Sequence, residues 1–104
     1  MSSELVFREE FSEDAAKVIV SGEIDIYTAQ LFKEKLYNTV DRSDTDLVID
    51  CRNLNYIDST GLGIFVGALK KTRQKGRNIF IENVRDNIRK LFVITGLDKL
   101  FTLR

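Results

Sequence analysis

The sequence contains no histidine. That absence closes the Ser-His-Asp and Cys-His routes to nucleophilic catalysis, along with the usual zinc sites. It has one cysteine, Cys51. A lone cysteine forms no internal disulfide, which fits a reducing compartment. With one cysteine and no histidine, a transition-metal site would have to rely on carboxylates, a poor ligand set for such ions. No metal or other cofactor is therefore expected, although paired carboxylates and lysine leave some enzyme chemistry open. Proline is also absent, as befits a chain without long spacers. There is no excess of charge either: 16 basic side chains balance 16 acidic ones. A neutral balance argues against the broad electrostatic footprint of a nucleic-acid binder and leaves a protein partner open. No apolar run reaches membrane-spanning length, and no basic-then-apolar signal segment opens the chain. The simplest expectation is a cytoplasmic protein that contacts neither membrane nor nucleic acid.

What is present suits one domain over residues 1–104, with 43% hydrophobic and 31% charged residues. A chain of this size buries roughly 60–70% of its unfolded surface, enough for one core. Leu5 to Phe11 reads as a strand, Ser12 to Ala15 as a polar break, and Lys17 to Ile24 as a second strand completing an antiparallel hairpin. From Thr28 to Val40 the period changes. Ala29, Phe32, Leu36 and Val40 share one helical face, and Asp25 or Thr28 is available as the N-cap. Asp41 to Asp44 is a polar loop. Leu47-Val48-Ile49 reads as a strand buried on both faces, and Cys51 to Asp58 as irregular, with Cys51 a buried strand-end residue.

Ser59 to Lys75 carries Leu62, Phe65, Val66 and Leu69 at helical spacing. It ends in a basic turn followed by Gly76, which suits the C′ position. Asn78 to Glu82 is another buried strand. Asn83 is a candidate cap for a third helix presenting Val84, Ile88, Leu91 and Thr95 and closing at Gly96. Phe101 and Leu103 suggest a last short edge strand. The order β-β-α-β-α-β-α, with a terminal β, predicts an α/β fold: a mixed sheet of four to five strands with an N-terminal hairpin and three to four helices.

Asp58-Ser59-Thr60-Gly61-Leu62-Gly63 is the most informative stretch. It follows a strand and opens a helix, where ligand and partner sites of α/β sheets concentrate. First-turn amides at the positive end of a helix dipole tolerate an anion. The same residues also read as an ordinary N-cap with glycines that ease packing. The phosphate-loop pattern fails because no lysine follows Gly63, and the dinucleotide fingerprint fails for want of a third glycine.

Ile57-Asp58-Ser59-Thr60-Gly61-Leu62-Gly63 resembles the phosphorylation motif of bacterial anti-sigma factor antagonists, which are STAS domains. The likeness extends over nearly the whole chain. Gly22-Glu23-Ile24-Asp25 is similar to the family's turn after its second strand. Leu47 to Asp50, with Asn53 and Leu54, is similar to its third strand and following loop. Asn83-Val84 and Ile94-Thr95-Gly96-Leu97 are similar to its last helix and tail.

The resemblance implies a non-enzymatic switch. The unphosphorylated protein would bind an anti-sigma factor that is also a serine kinase, and so free the sigma factor. Phosphorylation of Ser59 would turn it off, and a PP2C-type phosphatase would restore it. Asp25 and Asp58 would contact the partner or orient the serine, with helix capping as the plainer role. Thr60 would be a rival acceptor or a second cap, and Gly61 and Gly63 would permit close approach. Leu62 is either an exposed contact or the first core residue, the pattern favouring the core. Tyr27 and Tyr56 are either contact aromatics or packing residues, their place near strand ends favouring packing. A nucleotide binder, with Asp25 and Asp58 around Mg²⁺, and a regulatory domain of a transporter or signalling complex are the alternatives. A phospho-receiver is opposed by the leading hairpin and the missing acidic pair.

Overall fold

In the computed structural model, which describes residues 4–104, alternate residues Ala16, Val18 and Val20 are fully buried. That alternation makes β2 (Ala15–Ile24) a strand with one face in the core. It pairs antiparallel with β1 (Leu5–Phe11). The polar break is a tight turn in which the Ser12 and Ala15 main chains and the Ser12 hydroxyl bond one another at 3.0–3.2 Å. Those bonds draw Ala15 into the strand, two residues before the expected start at Lys17.

The chain continues through α1 (Ala29–Arg42), β3 (Asp46–Ile57), α2 (Ser59–Gln74), β4 (Ile79–Glu82), α3 (Asp86–Ile94), a 3-10 turn over Leu97–Lys99 and β5 (Thr102–Leu103). The five-stranded sheet runs in the order β1-β2-β3-β4-β5, and every pair after the first is parallel. The expected mixed α/β architecture is thus what the chain forms. Among the described residues no helix is long and apolar enough to cross a membrane.

The largest departure is in β3. The sequence reads as irregular from Cys51 to Asp58, yet the strand continues to Ile57. The cause is two register shifts against β2. Ile19 pairs with Asp50 but Ser21 with Asn53, and Gly22 pairs with Leu54 but Glu23 with Tyr56. Each shift adds one residue to β3, and each extra residue swaps the two faces. Core residues therefore fall at Cys51, Leu54 and Ile57, three apart, and the strand period of two disappears from the sequence. Cys51 lies inside the strand, and burial pushes its thiol up to about 12, which keeps it protonated and unreactive.

The first two helices follow their apolar spacing. Ala29, Phe32, Leu36 and Val40 of α1 are buried, as are Leu62, Phe65 and Leu69 of α2, while Val66 is half-buried. Gly76 adopts φ +73° after α2, the left-handed conformation suited to a C′ residue. Lys75 donates from Nζ to the carbonyls of Val40 and Ser43, each at 2.7 Å, and of Asp41 at 3.2 Å. One cation thereby closes the C-terminal end of α1 and ties it to α2.

The third helix differs from expectation. Asn83 stands at φ +60°, and Arg85 occupies the N-cap position. Val84 is buried ahead of the helix, Thr95 is exposed behind it, and the buried face is Ile88 and Phe92. Asn83 serves as a turn residue, because asparagine tolerates the left-handed region.

Aromatic rings join the helices. Phe65 of α2 lies 5.5 Å from Phe32, 5.9 Å from Phe92 and 6.2 Å from Phe101, centroid to centroid. Such pairs each add about 0.5–1.5 kcal/mol beyond burial. On the opposite sheet face, Asp50 links three elements. Lys17 of β2 approaches it at 3.9 Å, the Arg52 amide donates to it at 3.0 Å, and the Asn83 side chain donates at 3.1 Å.

Burial pushes the Asp50 carboxyl up. The Arg52 amide, Asn83 and the Lys17 charge outweigh that and hold it below the ordinary carboxylate range. A depressed carboxyl stabilises the fold above its unfolded pKa, and that contribution disappears as pH falls through the folded value. Asp50→Asn is expected to cost about 1–2 kcal/mol at pH 7, the scale of hydrogen bonds to a charged group. The gap from wild type should shrink between roughly pH 4 and pH 2. Urea midpoints across that range check it, and a gap that stays constant would refute the role.

Candidate functional site

Two strands end side by side. Ile24, the last residue of β2, pairs with Ile57, the last of β3, and the Asp58 amide donates to the Ile24 carbonyl at 3.2 Å. Asp25 and Asp58 therefore stand at the same end of the sheet.

Asp58 is extended, at φ −109° and ψ −174°, and its Oδ1 accepts the Gly61 amide at 3.1 Å. Its carbonyl accepts the Leu62 amide at 3.0 Å. It is the N-cap of α2, satisfying one of the first-turn donors. Asp25 caps the neighbouring helix from outside. Its Oδ1 accepts the Tyr27 and Thr28 amides at 2.9 and 3.2 Å, and its carbonyl accepts the Ala29 amide at 2.8 Å. Thr28 occupies the N-cap position of α1. Its hydroxyl accepts the Asp25 amide at 3.0 Å and donates to the Glu23 carbonyl at 2.7 Å. The two candidate caps thus divide the task. Both aspartates are half-buried and engaged with local backbone, the plainer of the two roles open to them.

The glycine motif divides between inside and outside. Gly61 is buried, and a Cβ there would meet Ile57 Cγ1 at 2.6 Å and Ile24 Cγ2 at 2.7 Å. The close approach it permits is to its own two strands. Leu62, at 6% exposure, is a core residue, the alternative its spacing favoured. A Cβ at Gly63 would meet nothing within 4 Å, and Gly63 lies on the outer side with Ser59 and Thr60, all exposed.

Ser59 is the first residue of α2, and no acidic side chain occupies that helix's first turn. Ser59 is exposed where the helix dipole is positive, a setting that tolerates an added anion.

Two aromatics depart from the favoured of their two readings. Tyr27 is 79% and Tyr56 47% exposed, so neither is a packing residue. Ile26, 72% exposed, was not singled out from the sequence. A signal existed: Ile26 and Tyr27 lie between the alternation of β2 and the helical face that begins at Ala29, and belong to neither. Among the described residues no group of three or more histidine, cysteine, aspartate or glutamate side chains stands together as a metal site.

A family model for the STAS domain matches residues 8–104. The anti-sigma-B factor antagonist of Bacillus subtilis (strain 168) is 37% identical over 92 residues, covering 88% of this chain and 84% of that protein. That of Staphylococcus aureus (strain NCTC 8325 / PS 47) is 42% identical over 84 residues, covering 81% and 78%. Among solved structures, an anti-sigma factor antagonist from Mycobacterium paratuberculosis superimposes with a TM-score of 0.85 at 29% identity, covering 96% of this chain and 85% of that one.

The contrast between the two glycines is directly testable. Gly61→Ala should destabilise by about 1–3 kcal/mol, because the new methyl overpacks two strand-end isoleucines. Gly63→Ala should stabilise by about 0.5–1 kcal/mol through helix propensity alone. Chemical denaturation of both variants measures this, and equal effects would contradict the inside–outside division.

Proposed function

This chain belongs to the STAS domain family, and on that premise we propose that it is an anti-sigma factor antagonist controlled at Ser59. In its unphosphorylated form it binds an anti-sigma factor that is also a serine kinase, and the sigma factor is released. The kinase phosphorylates Ser59 and ends the interaction, and a PP2C-type phosphatase restores it. The protein acts in the cytoplasm as a binding partner and as a substrate of these two enzymes. The names of its relatives favour a sigma-B type of partner.

One observation carries this reading: Ser59 is exposed at the first position of a helix whose cap is already supplied by Asp58. Its hydroxyl is not the N-cap and can be modified without removing the Asp58–Gly61 hydrogen bond. Phosphorylation adds about −1.5 to −2 charges and three acceptor oxygens. The helix terminus accommodates the anion, so the domain has no reason to refold. A partner meets a different surface, one that is bulkier and doubly charged beside Asp58 and Asp25. Two like unit charges ~4 Å apart repel by about 1–4 kcal/mol near a surface. A few such contributions alter affinity by orders of magnitude, since about 1.4 kcal/mol is tenfold.

Titration of wild type, Ser59→Ala and Ser59→Asp against the host's anti-sigma kinase provides the test. The alanine variant should bind within a fewfold of wild type and resist phosphorylation. The aspartate variant should bind roughly 10–100-fold more weakly, about 1.4–2.8 kcal/mol, with an unchanged circular dichroism spectrum. Full affinity of the phosphorylated protein, or kinase treatment that leaves Ser59 unmodified, would overturn the proposal.

A further inference from the structure

We propose that Ile26 and Tyr27, on the connection between β2 and α1, form the apolar anchor on which the anti-sigma kinase seats, while Ser59 gates that contact. This inference rests on the function proposed above.

Large apolar side chains with most of their surface in water are unusual when they adjoin one another. Ile26 is 72% exposed and Tyr27 79%, and Leu31 on the first turn of α1 is 46% exposed. Tyr56, 47% exposed, is paired with Glu23 at the same end of the sheet. These residues flank the place where Asp25 and Asp58 follow the paired Ile24 and Ile57, one residue before Ser59. The patch and the serine belong to one surface, and a kinase that reaches the Ser59 hydroxyl comes close to it.

The connection is held in shape. Between Glu23 and Ala29, Asp25 Oδ1 takes two amides, the Thr28 hydroxyl takes the Asp25 amide and donates to the Glu23 carbonyl, and the Asp25 carbonyl takes the Ala29 amide. Ile26 and Tyr27 are therefore presented by a braced turn, which limits the ordering cost of association. The carboxylates are poorer sources of affinity, since one oxygen of each already serves local amides. Exposed aromatic and aliphatic side chains that become desolvated at the centre of a contact are the usual hot spots.

The same surface defines its occupant's chemistry. Glu23, Asp25 and Asp58 lie around the patch, so the matching face is apolar at its centre and cationic at its rim. A phosphate on Ser59 would set a dianion beside surface that must lose its water, which explains how one modification silences a contact made mainly by other residues.

The test uses the full chain with Ile26→Ser, Tyr27→Ala and Tyr27→Phe, and with Ile94→Ser as control. Ile94 lies on α3 and is equally exposed at 79%. Binding to the anti-sigma kinase and the kinetics of Ser59 phosphorylation are measured. Ile26→Ser and Tyr27→Ala should each weaken binding at least tenfold and raise the kinase's KM for this protein, leaving kcat within twofold. Tyr27→Phe should retain most of the affinity. Ile94→Ser should bind as wild type, and unfolding midpoints should be unchanged throughout. If Ile26→Ser and Tyr27→Ala bind normally while Ser59→Asp binds weakly, the anchor is refuted and the antagonist reading stands. If Ile94→Ser weakens binding equally, the anchor is refuted as well. If none of the four, nor Ser59→Asp, affects binding, both readings fall.

Discussion

The geometry of the site depends on one packing constraint, the seating of Gly61 on Ile24 and Ile57. The two isoleucines are fully or almost fully buried, at 0% and 2% exposure, and they close the last rung of the parallel β2–β3 pair. Without a side chain, Gly61 lets the first turn of α2 rest directly against that rung. Helical geometry then orders the rest. Leu62 and Phe65 turn inward, whereas Ser59, Thr60 and Gly63 turn outward. A larger residue at position 61 would lift the helix start from the sheet and move the serine with it.

Around this junction the domain is braced so that a surface event need not disturb the interior. The Phe32–Phe65–Phe92–Phe101 cluster joins all three helices to one another and to the segment that leads into β5. Lys75 ties the end of α1 to the end of α2 through three carbonyls. Asp58 and Asp25 satisfy the amides that begin the two helices. Such a framework suits a switch read by a partner and not by refolding. In the function proposed above, the chemistry would change at one hydroxyl, and the consequence would be a change in which surface the neighbour meets.

Legibility of the sequence followed the regularity of each element. The faces of α1 and α2 were readable because their core residues recur at three and four, and Gly76 marked a real left-handed stop. The hairpin was readable from two alternating runs around a polar break. The second half of β3 was not, since two extra residues shifted its core positions to every third residue. The start of α3 was misplaced because asparagine suits both a helix cap and a left-handed turn, and only φ +60° distinguishes them. At the site, Asp58 as cap and Ser59 as an exposed hydroxyl could be anticipated. The inward turn of Gly61 and the exposure of Ile26 could not, and for Tyr27 and Tyr56 the sequence left contact and packing open.

The amino-acid sequence by itself determined the element order, the classes of chemistry left out by the absence of histidine, and the family, through the motif from Ile57 to Gly63. These depend on residue identity and local spacing, which the chain carries wherever it folds. Tertiary structure alone decided which residues of that motif face outward, that Asp25 comes to the same edge as Asp58, and that Ile26 and Tyr27 lack a covering neighbour. Those properties arise from the β2–β3 register, a pairing between segments some thirty residues apart, and no local pattern encodes which rung two distant strands will share.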